Sequence, residues 1–368
     1  SLKNKNATAA TAAGGWVLLC KPGFEAVLRK ELALRIPGGT ARSECGKGLV
    51  LLQAPLTHGA GSSLGTPLIF ERQRLPGAAF YPLEPLPRLA GTILAGLSAP
   101  ALLREAPWAL HAFAADPNAP NSLAPWAVRL GAALRKASAG LFADDARASQ
   151  VLQLCAVPGG AWACLTAAAS LSSPHPGGVG RMPPDPLAPS RSYLKIEEAL
   201  ELLAVPPRAR EKVIDLGAAP GGWSYAFLKR GCRVLAVDNG PIKLNLDNLA
   251  GTLTHLRANG LTFQPPSGWT PVDWLVSDML ISPGQCLGLL RGWLPQGRAR
   301  RFVVNIKLPQ RDPLVALQPI EAFLAAQRGV KFQLRQLYHD RREVTALGTV
   351  ETPQSGRVPA ARRKGRPK

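Results

Sequence analysis

The sequence predicts an α/β protein in which an α+β region precedes a mostly parallel sheet that is covered by helices on both faces. Three observations lead to this prediction. Beyond residue 190, apolar strand-like runs alternate with helical patterns, as in parallel sheets whose strands are joined by helical crossovers. The first of these runs enters a glycine-rich turn, and the next one ends in an acid. The first 170 residues instead combine helices with neighbouring strands and a hairpin, which favours an α+β arrangement.

The first half begins with a strand rather than a targeting signal. The apolar run from Trp16 to Cys20 is too short for the core of a signal peptide, and a helix with Phe24, Leu28 and Leu32 on one face follows it. The pattern then predicts strands over 48–54, 67–75 and 108–114, helices over 89–97 and 123–141, and a hairpin that pairs 151–157 with 161–169. We therefore expect a disordered N-terminus at 1–15, a first lobe over 16–85 and a second unit over 86–170.

The second half carries the larger sheet. Its strands are predicted near 213–218, 233–238, 273–278, 301–307, 332–338 and 343–350. The last two are separated only by residues 339–342, too few for a helical crossover, so we expect an antiparallel hairpin there. Residues 171–190 are crowded with Pro, Gly and Ser, which predicts a linker. The sheet domain then covers 191–352, and a basic disordered tail covers 353–368.

The chain is strongly basic, with a net charge of +20 over 368 residues. Its last twelve residues hold six cations and no acid, so most of the excess lies elsewhere. Such a charge favours a polyanionic partner, because neutralising phosphates releases their condensed counterions. Charge that serves only solubility is the alternative.

Other compositional features exclude several classes of protein. The six cysteines form no C-x-x-C pair and the five histidines show no metal-ligand spacing, so we expect no metal and reduced thiols. The most apolar run, 89–103, is interrupted by Pro100 and falls short of the roughly 20 residues of a spanning helix. We expect a cytoplasmic protein that acts as a monomer without a membrane partner.

The most informative stretch runs from Val213 to Trp223, where a buried strand enters a glycine-rich loop and then a helix. Gly217, Gly221 and Gly222 leave room for a ligand to approach the backbone N–H groups of such a loop. The next apolar run ends at Asp238. An acid at this place hydrogen-bonds ribose hydroxyls in Rossmann-type folds, so the spacing favours a bound adenosine.

Two other interpretations of this stretch are weaker. A strand of any α/β protein can end in Gly and Pro simply because the chain must turn, but here the loop, the spacing and the acid agree. A dinucleotide site would need the G-x-G-x-x-G spacing, which this loop lacks, and Pro220 lies in its middle. A pyrophosphate-binding role is therefore disfavoured.

Four charged residues, Lys195, Asp278, Lys307 and Glu343, are expected where a parallel sheet places its active site. Asp278 and Lys307 end predicted strands, Glu343 begins one, and Lys195 lies beside the apolar face of a predicted helix. A lysine that ends an apolar central strand is costly unless it is paired or functional. Two ordinary salt bridges that close the sheet are the alternative.

Aromatic and basic residues of the first half are as consistent with a core and a solvated surface as with RNA contacts. They are Phe70, Arg72, Arg74, Trp126, Arg129, Arg135 and Lys136.

Several segments follow one another in the order of a known family pattern. In the second half these are Ser190-Arg-Ser-Tyr-Leu-Lys195, Asp215-Leu-Gly-Ala-Ala-Pro-Gly-Gly-Trp223, Val237-Asp-Asn-Gly-Pro241, Val276-Ser-Asp-Met279, Asn305-Ile-Lys-Leu-Pro309 and Gln336-Leu-Tyr-His-Asp-Arg-Arg-Glu-Val-Thr345. In the first half they include Leu18-Leu-Cys-Lys-Pro-Gly-Phe-Glu25 and Phe70-Glu-Arg-Gln73. Together these segments resemble the FtsJ-like ribose 2′-O-methyltransferases.

The resemblance implies a Rossmann-like class I methyltransferase domain, preceded by a ferredoxin-like lobe and a THUMP-like RNA-binding domain. It implies S-adenosylmethionine as cofactor and a cytidine of large-subunit ribosomal RNA as target. The family's catalytic residues correspond to Lys195, Asp278, Lys307 and Glu343, with Lys307 as proton acceptor. The implied cofactor-binding residues are Ser192, Gly217, Ala219, Pro220, Gly221, Gly222, Trp223, Asp238, Asn259 and Asp278.

Methylation of a ribose 2′-hydroxyl requires a base, because the oxygen must lose its proton as it attacks the methyl group. Our hypothesis is that burial and the nearby cation Lys195 lower the pKa of Lys307, which then serves as this base. Asp278 and Glu343 would orient the two lysines and the ribose.

One position departs from the family pattern. Asn259 stands where relatives often carry an aspartate that contacts the adenine amino group, so we expect weaker cofactor binding.

Two alternatives to 2′-O-methylation agree less well with the sequence. A catalytically silent RNA-binding ribosome-assembly factor would have no need to hold buried lysines. Base methylation lacks support, because the chain has no N/D-P-P-Y/F motif after its fourth strand and no cysteine at the place of a C5 nucleophile.

Overall fold

Three β-sheets with flanking helices build the protein, as seen in a computed structural model that describes residues 15–36, 38–42, 47–53, 66–97, 107–138, 140–143 and 148–351. Nearly all of the two predicted tails, 1–15 and 353–368, lies outside the described residues, and so does Cys45.

The first sheet is antiparallel and has the strand order β2-β3-β1-β4. Its strands are β1 Gly15–Leu19, β2 Thr40–Arg42, β3 Leu49–Gln53 and β4 Gln73–Pro76, and helix α1 spans Glu25–Arg35. The strand predicted over 67–75 is confirmed only in its last residues. The backbone N–H groups of Ile69 and Phe70 donate to the buried carboxylate of Glu31 on α1. The side chain of Glu31 therefore takes the hydrogen bonds that a neighbouring strand would otherwise accept.

The second sheet has the order β5-β8-β7-β6. Its strands are β5 Ala79–Pro82, β6 Ala109–Ala114, β7 Gln150–Val157 and β8 Gly160–Ala167, with helices α2 Leu86–Gly96 and α3 Ala124–Ala137. The predicted hairpin is confirmed as the antiparallel pair β7 and β8. The unpredicted strand β5 pairs with β8, so the change from the first sheet to the second falls at residues 77–78, before the predicted boundary at 85.

The third sheet has seven strands in the order β11-β10-β9-β12-β13-β15-β14. The strands are β9 Lys212–Leu216, β10 Arg233–Val237, β11 Thr252–Leu256, β12 Trp274–Ser277, β13 Arg301–Lys307, β14 Val330–Arg335 and β15 Glu343–Val350. The helices are α4 Tyr193–Leu203, α5 Gly222–Lys229, α6 Pro283–Trp293 and α7 Pro313–Ala326. All pairs from β11 to β13 are parallel, and β15 and β14 form the expected antiparallel hairpin.

Two details of the third sheet differ from the sequence prediction. Strand β14 ends at Arg335 instead of residue 338, because the N–H of Gln336 donates to the carbonyl of Ile69 in the first lobe. Edge strand β11 was not predicted, since its residues are half-buried or exposed and lack an apolar run.

The first sheet is packed on both faces. Leu18 and Cys20 belong to a hydrophobic cluster shared with the third sheet, whereas Val17 and Leu19 pack against the second sheet. This alternation follows the period of two in a strand. The predicted linker 171–190 is also partly packed: buried Ser172 accepts a hydrogen bond from Arg335 through its carbonyl. The first lobe is therefore joined to the larger sheet by a continuous core.

Candidate active site

A cavity of about 220 Å³ lies at the carboxyl ends of β9 and β10. Gly217, Asp238 and Asn259, three of the predicted cofactor-binding residues, line it together with Met279. The edge where parallel strands end is the usual ligand site of open α/β sheets. The volume is below the ~300 Å³ that is typical for a complete drug-sized ligand, so the cavity suits one part of a larger molecule.

Gly217 is required at the base of this cavity for two reasons. Its φ is +77°, in the left-handed region that favours glycine. A Cβ atom there would overlap the side chain of Met279 and lie 3.2 Å from its Cα. The glycine therefore allows the loop after β12 to approach the end of β9.

Asp238 connects the loops that follow β9 and β10. Its Oδ2 accepts a hydrogen bond of 3.0 Å from the N–H of Ala219, and its Oδ1 accepts one of 2.7 Å from the N–H of Gly240. These contacts fix the carboxylate at the cavity wall, where each oxygen keeps a further lone pair for a ligand hydroxyl.

Gly222 and Trp223, which follow the glycine-rich loop into α5, lie against the start of α4. Gly221 has a φ of +114°, and a Cβ at Gly222 would meet the hydroxyl oxygens of Ser190 and Ser192. Trp223 is buried and donates from Nε1 to the carbonyl of Ser192 at 3.0 Å. Trp223 thus holds Ser192 against the loop and does not line the cavity.

Four different elements bring the predicted catalytic residues together. Lys307 ends β13 and Glu343 begins β15, and the two are paired directly across the antiparallel ladder. Asp278 follows β12, and Lys195 lies in the first turn of α4. Because Met279 lines the cavity next to Asp278 along the chain, the cluster adjoins the candidate cofactor site.

The four charged groups form a compact ring in which each lysine contacts both carboxylates. Lys307 Nζ lies 2.9 Å from Asp278 Oδ1 and 3.2 Å from Glu343 Oε1. Lys195 Nζ lies 3.5 Å and 3.4 Å from the same two oxygens. The side chains are 13–21% exposed, so solvent screens these contacts less than those of surface ion pairs.

The expected lowering of the pKa of Lys307 is wrong for the ligand-free protein. Burial acts in that direction, but the charges of Asp278 and Glu343 and their hydrogen bonds outweigh it and raise the pKa of Lys307. For Glu343 burial is likewise outweighed, by the N–H of Arg341 and the two lysine charges, and its pKa is lowered. The resting cluster therefore contains a protonated Lys307 and an ionised Glu343.

Sequence reasoning missed two polar residues near this cluster. Asn305 accepts a hydrogen bond of 3.2 Å from Lys307 Nζ. Asp215 is fully buried near the end of β9, where its Oδ2 accepts from Ser224 Oγ at 2.7 Å, and burial raises its pKa to about 7. Both are polar residues within apolar strand sequences, a pattern that could have identified them.

The aromatic and basic residues considered in the first half differ in how exposed they are. Phe70, Arg72 and Arg74 are buried and belong to the protein interior. Arg129, Arg135 and Lys136 are exposed on α3. Of the five cations considered in the sequence analysis, these three can therefore meet a macromolecular partner without unfolding.

Within the described part of the chain, no group of three or more His, Cys, Asp and Glu side chains could hold a metal ion. A helix long and apolar enough to cross a membrane is likewise not found among the described residues.

The amino-acid sequence is similar to those of known methyltransferases. The sequence model of FtsJ-like methyltransferase matches residues 188–317. "Ribosomal RNA large subunit methyltransferase M" of Xanthomonas axonopodis pv. citri is 34% identical over 353 residues, which cover 90% of this chain and 98% of the relative. The protein of the same name from Laribacter hongkongensis is 47% identical over 176 residues, 45% of this chain and 48% of that relative.

Among solved structures, TrmN from Thermus thermophilus is 19% identical, with a TM-score of 0.36 over 91% of this chain and 100% of that chain.

Proposed function

Because this chain belongs to the family of ribosomal RNA large subunit methyltransferase M, we propose that it transfers a methyl group from S-adenosylmethionine to a cytidine 2′-hydroxyl of large-subunit ribosomal RNA. The observation that carries the proposal is the ring of Lys195, Asp278, Lys307 and Glu343 beside the cavity at β9 and β10. A base next to a nucleoside-sized cavity is what hydroxyl methylation needs.

The residues of the cavity fit the adenosine part of the cofactor. Asp238 offers carboxylate oxygens to ribose hydroxyls, and Gly217 lets Met279 approach the end of β9 and complete the cavity wall. Ala219, Pro220, Gly221 and Gly222 form the adjoining loop, and Ser192 lies against it at the start of α4; these residues would hold the remainder. When bound, S-adenosylmethionine supplies an electrophilic methyl group.

Lys307 is the proposed proton acceptor. As the ribose oxygen forms its bond to the methyl carbon and the carbon–sulfur bond breaks, the hydroxyl proton passes to Lys307 Nζ. Lys307 must be neutral at that moment, although Asp278 and Glu343 favour its charged form in the free protein. An unperturbed lysine is neutral in only about one molecule in a thousand near pH 7.4, so the rate should depend steeply on pH.

We assign RNA binding to the first two sheets and to the basic residues of the chain. Arg129, Arg135 and Lys136 provide an exposed cationic face on α3, and cations of this kind bind phosphates with little sequence preference. In this proposal, the predicted regions 16–85 and 86–170 form a ferredoxin-like lobe and a THUMP-like domain, with β5 belonging to the sheet of the second, and the protein acts in the cytoplasm as a monomer.

The test is transfer of labelled methyl groups from S-adenosylmethionine to protein-free large-subunit ribosomal RNA. We compare the native chain with Lys307→Ala and with Lys331→Ala, whose lysine is 78% exposed and pairs with Glu351. Binding of RNA and of cofactor is measured for all three proteins, and the labelled position is mapped to ribose or base.

Ribose-borne label that falls at least about a hundredfold in Lys307→Ala, and persists in Lys331→Ala, supports the proposal. Label on a base would contradict the assigned reaction. If all three proteins bind RNA equally without labelling any form of it, the protein is instead an RNA-binding ribosome-assembly factor.

A further inference from the structure

A buried polar network adjoins Lys307 through Asn305. Asn305, Asp340 and Thr345 have exposures of 1%, 0% and 0%. Asn305 Nδ2 donates to Asp340 Oδ1 at 2.9 Å and approaches Thr345 Oγ1 at 3.4 Å, while Thr345 Oγ1 donates to Asp340 Oδ2 at 3.1 Å. Lys307 joins this network through its 3.2 Å contact with Asn305 Oδ1.

The neighbours of Asn305 leave its amide one favourable orientation. A lysine ammonium can only donate hydrogen bonds. Burial raises the pKa of Asp340 to about 6, so near pH 7.4 its carboxylate is ionised and can only accept them. The amide oxygen of Asn305 must therefore face Lys307, and its NH₂ group must face Asp340. Reversing the amide would direct its donors at the ammonium and its oxygen at the carboxylate.

This arrangement gives each N–H of Lys307 its own acceptor. The three acceptors are Asp278 Oδ1, Glu343 Oε1 and Asn305 Oδ1. Three fixed acceptors determine the rotation of the amino group as well as its position. Once the amine is neutral, Asn305 cannot donate to its lone pair, because the NH₂ group of Asn305 is held by Asp340.

Asp340 is itself fixed by the surrounding turn. Its Oδ2 also accepts from the N–H of Leu337 at 3.0 Å. Lys21 of the first lobe donates to the carbonyls of Tyr338, at 3.1 Å, and of Asp340. The orientation of Asn305 thus depends on contacts that begin in the first lobe.

We propose that Asn305 and Asp340 are positioning residues for Lys307: Asp340 locks the amide of Asn305, so that this amide only accepts from the amine and never donates to the lone pair that must take the proton of the ribose hydroxyl. This inference rests on the proposed function, because it concerns the base of that reaction. Neither residue is assigned a contact with substrate.

The kinetic test is a double-mutant cycle. Asp340→Asn keeps the size of the side chain but allows the Asn305 amide to reverse, so we expect kcat to fall about tenfold with KM for RNA and cofactor unchanged within about twofold. Asn305→Ala should also lower kcat. In the Asn305→Ala background, Asp340→Asn should have no further effect, because Asp340 acts through Asn305.

Thr166→Val is the matched control. It removes a hydrogen bond from the buried amide of Gln153 in the second sheet and touches neither Lys307 nor Asn305, so kcat should change less than about twofold. The proposal is overturned if Asp340→Asn keeps full kcat, if its effect persists in the Asn305→Ala background, or if Thr166→Val loses as much kcat.

A second measurement does not depend on methyl transfer. In ¹⁵N-lysine-labelled protein, the ammonium signal of Lys307, assigned by its loss in Lys307→Arg, should exchange its protons with water about tenfold faster in Asp340→Asn and in Asn305→Ala. If Asp340→Asn does not fold, Asn305→Ala alone decides, and unchanged exchange overturns the proposal. Altered exchange in a protein that methylates no RNA would refute the proposed function but leave the positioning intact.

Discussion

Lys195 and Lys307 reach the same two oxygens, Asp278 Oδ1 and Glu343 Oε1, from different secondary-structure elements. Two cations and two anions balance within one cluster, which offsets the cost of placing like charges close together. Removing one carboxylate would leave two cations facing one anion. The protonation of Lys307 should therefore respond directly to changes in Glu343.

We expect methyl transfer to accelerate as pH rises, about tenfold per pH unit, until Lys307 is largely neutral. The sign follows from the raised pKa of Lys307, which keeps the amine protonated near neutral pH. In Glu343→Gln one of the carboxylates that raises this pKa is gone, so the rate should level off at lower pH, at a reduced maximal rate.

Single-turnover rates between about pH 6.5 and 9.5 measure these profiles. Glu197→Gln is the control, because Glu197 pairs with Arg230 and not with the cluster. If methyl transfer itself is the slow step and its rate does not vary with pH, Lys307 is not the base.

Gly217→Ala should abolish cofactor binding and lower the thermal midpoint of unfolding. The new Cβ would overlap Met279 and would occupy a φ of +77°. Gly268→Ala separates these causes, since Gly268 has a φ of +79° but no atom within 4 Å of the new Cβ. The control should lose only about 1 kcal/mol of stability from backbone strain. Calorimetric titration with S-adenosylmethionine compares the two, and equal affinities would contradict the assigned cavity.

Asn259→Asp should strengthen cofactor binding about fivefold to tenfold, an effect of roughly 1 kcal/mol. The single amide oxygen of Asn259 already accepts from the N–H of Leu261 at 2.9 Å, whereas an aspartate offers a second oxygen to a donor such as an adenine amino group. Asn245→Asp is the control, because Asn245 makes the same kind of contact, to Asp247, at 3.0 Å. Unchanged cofactor affinity in Asn259→Asp would mean that this residue does not take part in adenine recognition.

The buried carboxyl of Asp215 should make stability depend on pH. Its pKa is raised to about 7, chiefly by burial, so the folded state retains a proton that the unfolded chain releases near pH 4. Its contribution is complete below about pH 4 and is lost as pH rises through about 7, with a slope of up to about 1.4 kcal/mol per pH unit.

Denaturant titrations of Asp215→Asn between about pH 4 and 8 should therefore show a flatter pH dependence than the native chain. Exposed Asp247 supplies the control Asp247→Asn, which should retain the native slope. Identical slopes in all three proteins would show that Asp215 does not hold this proton.

Glu31→Gln should destabilise the first lobe by about 1–3 kcal/mol. The carboxylate of Glu31 is 1% exposed and accepts from the N–H groups of Ile69 and Phe70, and a glutamine leaves one of these donors opposite another donor. Glu321→Gln is matched to it, because Glu321 also contacts Arg35, but at a more exposed site. In Glu321→Gln the loss of stability should stay below about 1 kcal/mol. Equal losses of unfolding free energy in the two variants, measured by chemical denaturation, would contradict the structural role assigned to the buried Glu31 carboxylate.

Much of the larger sheet follows from sequence alone, because buried parallel strands are continuous apolar runs and glycine-rich turns have a distinctive pattern. Strand β13 was predicted at its observed bounds, and the hairpin of β14 and β15 followed from the short connection between them. Strands β2, β5 and β11 were missed, since the first two have only three and four residues and the third is a half-exposed edge strand.

The residue types of the candidate site, and the strand ends that carry them, follow from the amino-acid sequence. The contacts among Lys195, Asp278, Lys307 and Glu343 depend on folding, because these residues come from elements far apart in the chain. Folding also sets the direction in which the pKa of Lys307 shifts, because burial and two neighbouring charges act on it together. The role of Asn305 could not be foreseen either, since an amide orients according to donors and acceptors that only folding places around it.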